Sequence, residues 1–184
     1  MKIISKDKNN LILNIASYFI SNIIQRIRNK YEDFDKDSRY ISEIIIDTKS
    51  KFDKDTAGSV TSNKINLFIN NINNYQFTIF VILHEIGHNI RINNGLFNSN
   101  YNNISKNVAY YTEEIEANNY ALTVIKKYFN IRKFKKIIEH YEENTNIMMN
   151  KINELQKMPN NYFTSYSLSY TNGSTRYPYT IRYF

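Results

Sequence analysis

Two histidines and a glutamate in this sequence have the spacing of a metal-dependent hydrolytic site. Residues 84–88 read His-Glu-Ile-Gly-His, the pattern HExxH. On a helix this spacing brings His84 and His88 one turn apart on the same face, where both imidazoles can bind one metal ion. Glu85 is rotated about 100° from His84. Its carboxylate is therefore predicted to lie beside a water at the metal, to accept a proton from it as general base, and later to deliver that proton to a leaving amine.

The segment around the motif is apolar on nearly every side, and its apolar residues are Phe77, Ile79, Phe80, Val81, Ile82, Leu83, Ile86 and Ile90. A helix of this composition is predicted to be buried. Two imidazoles are costly to bury without strong partners, which favours metal binding over the alternative of ordinary helical histidines satisfied by their neighbours. Because the chain has no cysteine, nitrogen and oxygen must supply every ligand. The predicted ion is Zn²⁺.

A catalytic zinc site needs a third protein ligand and one open position. On the next predicted helix, Glu114 lies near the middle of the apolar arc, whereas Glu113 and Glu116 fall outside it and are predicted to be solvated. A buried Glu114 needs a cation, so it is the predicted third ligand. The alternatives are a Glu114 satisfied by Arg91 or a tyrosine without metal, and His140 as a ligand.

Small and polar residues next to Glu114 fit a helix pair around the metal. Asn118 follows Glu114 by one turn and is positioned to hydrogen-bond a ligand histidine. Ala117 and Ala121 on this helix, with Gly87 on the motif helix, are small enough to let the two helices approach closely. We therefore expect direct packing of the two helices.

A donor to the developing oxyanion is also needed, and zinc supplies only part of that stabilisation. Arg91 follows His88 by three residues on the same face and can support the site or hold a substrate carbonyl. The other candidate donors are Tyr110, Tyr111, Tyr166 and Tyr170. For each tyrosine the alternative is simple packing, because the chain has 16 of them.

Periodicity and turn residues predict the elements that must hold these side chains. In chain order they are a helix over about 11–31, a strand over 41–48, a loop containing Gly58, a strand over 64–69, the motif helix over about 77–92, and helices over about 110–129 and 132–157. We expect one domain over 1–184, with an N-terminal helix extension over 1–40. The Tyr-rich segment 159–184 contains Asn172-Gly173, a favoured hairpin turn, and is predicted to form a terminal hairpin or tail.

The absence of cysteine excludes a disulfide scaffold, and charge and hydropathy exclude little more. The net charge is +7, and the basic cluster over 126–136 is predicted to be a solvated helix face, with nucleic-acid or acidic-partner binding as the alternative. The apolar stretch over 11–24 is interrupted by polar residues and is shorter than the ~20 residues of a membrane span. It also lacks a recognisable cleavage site, so we expect a cytoplasmic protein.

The motifs resemble those of the ImmA/IrrE group of gluzincin-like zinc metallopeptidases. The resemblance rests on Phe77-Thr78 before the HEIGH helix and on Glu-Ile-Glu-Ala-Asn over 114–118, followed by Ala121 and Leu122. It extends over roughly 41–129. The first and last ~40 residues match nothing in that group, and the sequence carries no recognisable helix-turn-helix or sensor domain.

The resemblance implies an α+β zincin-like domain, in which a small mixed or antiparallel sheet packs on the buried HExxH helix and three further helices. It implies that His84, His88 and Glu114 hold zinc and that Glu85 is the base. Members of the group act as site-specific proteases, often on helix-turn-helix transcriptional repressors. A protein or peptide is therefore the expected substrate.

The sequence as a whole predicts a zinc-dependent metallopeptidase that hydrolyses peptide bonds in a protein. Two alternatives stay open. One is a non-enzymatic module whose zinc is structural, and the other is a catalytically inactive, basic binding protein of zincin fold from a mobile element or virus.

Overall fold

A computed structural model describes residues 1–48, 56–72, 74–96 and 106–157. These residues form an α+β fold, as the sequence predicts, with a four-stranded mixed sheet and helices packed against it. The elements in order are β1 (Lys2–Ser5), α1 (Leu11–Lys30), α2 (Phe34–Asp37), β2 (Glu43–Asp47), β3 (Gly58–Val60), β4 (Lys64–Phe68), α3 (Tyr75–Asn93), α4 (Lys106–Tyr128) and α5 (Ile131–Lys157). A 3₁₀ turn, Ile69–Asn71, follows β4.

The sheet has the strand order β1-β2-β4-β3. Strand β2 is parallel to both β1 and β4, and β3 pairs antiparallel with β4. Helices α1 and α2 form the crossover that a parallel β1–β2 pair requires. In β2 the side chains of Ile44 and Ile46 are fully buried and alternate with less buried neighbours, the period expected of a strand with one covered face. The predicted strands over 41–48 and 64–69 are confirmed.

Strands β1 and β3 are not predicted by the sequence. Strand β1 lies inside the segment 1–40 that is expected to be helical, and β3 begins at Gly58, which the sequence analysis places in a loop. Both strands are only three or four residues long. Such short strands have weak patterns of their own, because their stability comes from cross-strand pairing and burial. Pairing of Gly58 with Leu67 and of Val60 with Ile65 holds β3 on β4.

Helix α3 is the buried helix that the sequence predicts. The Asn74 side chain caps its first turn by accepting a hydrogen bond from the Phe77 amide. Every residue from Phe77 to Asn89 is buried. Near the other end, Asn89 Nδ2 donates to the carbonyls of Thr61 and Ser62 at 3.0 Å each, which fixes α3 against the β3–β4 turn.

The other predicted helices are confirmed as α1, α4 and α5. Helix α1 packs on the sheet through Leu13, Ile20, Ile23, Ile24 and Ile27. Within the described ranges, no helix combines the length and apolarity that crossing a bilayer requires. The predicted terminal hairpin lies outside the described residues.

Helices α3 and α4 approach closely at Gly87. A Cβ atom at this position would lie 3.2 Å from Ala117 Cα and 3.2 Å from Tyr120 Cδ1. Ala117 and Ala121 are fully buried. The prediction that small residues allow the two helices to pack directly is confirmed, and this contact sets the distance between the side chains that α3 and α4 direct at each other.

We predict that Gly87→Val lowers the free energy of unfolding by about 1–3 kcal/mol, because its methyl groups would overlap the α4 backbone. Valine has the higher helix propensity, so a loss of stability cannot come from α3 itself. Urea unfolding followed by circular dichroism measures the effect. Asn119→Val, on the exposed side of α4, is the matched control and should change stability by only a few tenths of a kcal/mol. Equal effects of the two variants would contradict close packing at Gly87.

Candidate metal centre

Three buried side chains from two helices converge on one point. His84 and His88 extend from α3, and Glu114 reaches them from α4. Glu114 Oε2 is 3.5 Å from His84 Nε2, and Glu114 Oε1 is 3.5 Å from His88 Nε2. One ligand atom from each residue lies within 4.8 Å of the other two. This group can hold a metal ion.

The spacing of these atoms fits a shared ion better than direct hydrogen bonds. A distance of 3.5 Å exceeds the usual N–H···O range. Two ligand atoms of a tetrahedral ion with bonds of about 2.1 Å are separated by about 3.4 Å. His84 Nε2 is buried and has no hydrogen-bond partner among the described residues, so a metal would satisfy it. The residues present therefore fit a metal ion.

Asn118 fixes the orientation of the His84 ring. His84 Nδ1 lies 2.9 Å from Asn118 Oδ1. Because an amide oxygen only accepts, Nδ1 carries the proton and donates it, which leaves the Nε2 lone pair directed toward Glu114. The buried Asn118 thus selects the tautomer that a metal ligand needs. The one-turn spacing of Asn118 from Glu114 predicts this role.

Burial keeps both imidazoles neutral. Burial, followed by the neighbouring His88, lowers the pKa of His84 from 6.5 to about 3. Burial also lowers the pKa of His88 to about 3, with a further lowering from the charge of Arg91. Neutral imidazole is the form that binds metals. At neutral pH no proton has to leave either ring before a metal binds.

Glu85 lies next to the ligands but is not one of them. Its side chain is fully buried, and neither carboxylate oxygen has a hydrogen-bond partner among the described residues. Burial, and then the negative charge of Glu114, raise the pKa of Glu85 well above its ordinary value. A buried carboxyl without partners is costly, so this position calls for a cation or a polar ligand close by.

Gly58 makes room for the Glu85 carboxylate, a role that the sequence analysis does not predict. A Cβ atom at Gly58 would lie 2.7 Å from Glu85 Oε1 and 2.8 Å from Val81 Cγ1. Any side chain at this position would therefore displace the carboxylate or Val81. A glycine inside a strand pattern signals such close approach, but the strand here is too short to be recognised from sequence.

The prediction that Glu113 is solvated is wrong. Glu113 is 1% exposed and accepts hydrogen bonds from Arg91 Nε at 2.8 Å and from Arg91 Nη2 at 2.9 Å. The arginine neutralises the carboxylate, which removes the cost that buried charge would otherwise carry. Arg91, expected to support the ligands or hold a substrate carbonyl, joins α3 to α4 through Glu113. Glu116 is exposed, as predicted.

The remaining candidates are one histidine and four tyrosines. His140 lies on α5, where its Nε2 is 3.0 Å from Asn144 Nδ2, and it is not part of the metal-ligand group. Tyr110 and Tyr111 pack edge-to-face on each other, with ring centroids 5.7 Å apart. The last two candidate donors, Tyr166 and Tyr170, lie outside the described residues.

Tyr141 is a residue near the site that the sequence analysis misses. Its ring stacks on Phe80 at a centroid distance of 3.8 Å, and the Phe80 ring lies 5.9 Å from that of His84. Burial, and then the charge of Glu114, raise the pKa of the Tyr141 hydroxyl. The spacing of Phe134, Ile138, Tyr141 and Thr145 marks the buried face of α5. It does not reveal that this face reaches the metal-ligand group.

In comparisons with known proteins, no protein-family model, curated protein or solved structure matches the chain. The residues and geometry of the site are the basis for inferring function.

We predict that the protein binds one divalent ion per chain and that Glu114→Ala weakens this binding at least about 100-fold, because one of three ligands is lost. Competition with a chromogenic chelator, using Zn²⁺ and Co²⁺, measures the affinity. Glu116→Ala removes an exposed carboxylate two residues away and should bind as the wild type does. Equal affinity of the Glu114→Ala variant and the wild type would contradict the ligand assignment.

Proposed function

We propose that this protein is a zinc-dependent metallopeptidase in which His84, His88 and Glu114 hold Zn²⁺ and Glu85 is the general base. The observation that carries the proposal is the convergence of the HExxH histidines with a buried glutamate from α4, with ligand atoms within 4.8 Å of one another. Two imidazoles and one carboxylate form a catalytic type of ligand set, which leaves one position open for water or substrate.

Zinc suits these ligands better than other common ions. Neutral imidazoles favour zinc and similar transition metals, whereas Mg²⁺ and Ca²⁺ prefer sites made of oxygen. Carboxylate oxygen completes the set without thiolate, consistent with a chain that has no cysteine. When bound, zinc polarises the scissile carbonyl and lowers the pKa of a water molecule at the open position.

Glu85 supplies the proton transfers. Both of its carboxylate oxygens are buried, and neither has a hydrogen-bond partner among the described residues. Burial raises its proton affinity, while a dication at the adjacent ligands lowers it again, so the carboxylate can both take and release a proton. It accepts the proton of the attacking water and then delivers it to the amide nitrogen that leaves. A peptide nitrogen needs that proton to depart as an amine.

The histidine orientation supports the same chemistry. Asn118 holds His84 in one tautomer through the 2.9 Å hydrogen bond, so this ligand does not have to reorganise during the reaction. The ligands lie on two packed helices rather than on loops, which keeps the site rigid. A preorganised site of this kind is what electrostatic stabilisation of a developing oxyanion requires.

The alternative of a basic binding protein is less well supported. Several residues of the basic cluster over 126–136 have acidic partners: Lys126 pairs with Glu142, and Lys135 pairs with Glu139 at 3.7 Å. Exposed pairs of this kind are typical of a solvated helix face. Pairing of Lys126 and Lys135 therefore reduces the positive charge that the cluster offers to an anionic partner.

We predict that Glu85→Gln lowers kcat/KM for peptide hydrolysis about 10²–10⁴-fold, because the amide cannot accept the proton of the water. Metal content should stay at one ion per chain. A peptide library digested by the zinc-loaded protein and read by mass spectrometry supplies the substrate and then the rates. Glu116→Gln is the matched control. A zinc-loaded wild type that cleaves nothing would favour a structural metal, and equal rates for Glu85→Gln and wild type would remove Glu85 as the base.

We further predict that Gly58→Ala lowers kcat roughly 10–100-fold while KM and metal content change little. The added methyl group would displace the Glu85 carboxylate, and misplacement of a catalytic group by about 1 Å costs on this order. Steady-state kinetics on the same substrate test this. Ser59→Ala changes the neighbouring residue of β3 without adding an atom and should keep most of the activity. An unchanged kcat in Gly58→Ala would show that the position of Glu85 tolerates the methyl group.

A further inference from the structure

The outer face of α1 is apolar although it faces solvent. Its exposed side chains, which we call the α1 patch, are Leu11 (72% exposed), Ile12 (66%), Ile15 (62%), Tyr18 (73%) and Phe19 (44%). At about 100° per residue they fall within an arc of about 120°. This arc lies opposite the residues of α1 that pack on the sheet. Exposed apolar surface that is contiguous in this way marks an interaction site.

The same end of the chain is basic. Residues 1–30 contain six lysines and arginines and one acidic residue, Asp7, and α1 itself contains no acidic residue. Lys6 pairs with Asp47 and Arg28 pairs with Asp35. The other basic residues of this segment are exposed, and they are Lys2, Lys8, Arg26 and Lys30. Basic residues therefore flank the α1 patch on both sides along the chain.

We propose that the α1 patch binds the surface of an anionic lipid membrane, with α1 lying parallel to the membrane plane. Aliphatic and aromatic side chains on one face of a helix, combined with nearby lysines and arginines, are the features of helices that insert into the headgroup boundary. Negatively charged headgroups attract the basic residues on either side of the patch. This proposal does not depend on the proposed peptidase activity.

Charge favours a membrane over a second copy of the chain. A symmetric dimer formed through the α1 patch would bring two identical surfaces together. The lysines and arginines within 1–30 of one copy would then face the same lysines and arginines of the other copy. Such like-charge contacts are unfavourable. An anionic membrane meets the same apolar face with charge of the opposite sign. Its fluid surface also accommodates five projecting side chains without a preformed groove.

Vesicle flotation of the full chain tests the proposal. We expect the protein to float with vesicles of phosphatidylcholine mixed with phosphatidylserine, and to bind pure phosphatidylcholine vesicles at least about tenfold more weakly. Raising the salt concentration should weaken binding, because the charges involved are exposed. A wild type that fails to float with the anionic vesicles overturns the proposal.

Two variants locate the binding surface. Ile12→Asp and Ile15→Asp each place a charge on the α1 patch at an exposed position, so the fold should be retained, as circular dichroism can verify. Each should lose vesicle binding at least about tenfold. The control is Ile147→Asp, at an exposed apolar residue of α5 (45% exposed), which should bind as the wild type does. Unchanged binding of the patch variants overturns the proposal, and so does a wild-type dimer that Ile15→Asp dissociates without any vesicle binding.

Discussion

The burial of α3 from Phe77 to Asn89 is the constraint on which the rest of the structure depends. A helix whose every residue from Phe77 to Asn89 is buried gives the polar side chains it carries no access to bulk water, so each must find a partner inside the protein. Asn118 satisfies one nitrogen of His84, and the β3–β4 turn satisfies the amide of Asn89. The Nε2 atoms of His84 and His88 lie 3.5 Å from the Glu114 carboxylate. The buried helix therefore forms one side of a polar centre.

The sheet and the helices can enclose this centre because side chains are absent at two points of contact. The chain has only four glycines, and two of them lie at these contacts, Gly58 on β3 and Gly87 within the motif. Gly58 lets β3 pass the Glu85 carboxylate, and Gly87 lets α4 approach until Glu114 reaches the histidines. Neither glycine has a positive φ. Their role is steric, which separates them from Gly95, whose φ is +66° beyond the end of α3.

The sequence was sufficient to predict those features of the fold and the site that depend on a single helix or strand. The i, i+4 spacing of His84 and His88 and the apolar arc around Glu114 depend on one helix each, so both were predictable from helical geometry. The failures all involve contacts between elements. The burial of Glu113 depends on Arg91 from another helix, the place of Tyr141 depends on how α5 packs on α3, and the short strands β1 and β3 exist through pairing. Periodicity carries no information about any of these contacts.

The Arg91–Glu113 pair, which the sequence did not reveal, clarifies the charge balance of the site. It connects the same two helices as the metal-ligand group, since Arg91 follows His88 by three residues and Glu113 precedes Glu114. Because its own charges cancel, it holds α3 and α4 together without adding charge. Glu85 and Glu114 lie beside neutral imidazoles, and burial of two neighbouring carboxylates is unfavourable without cationic compensation. A doubly charged cation would compensate both at once, on ligands that the neighbouring ion pair already holds in place.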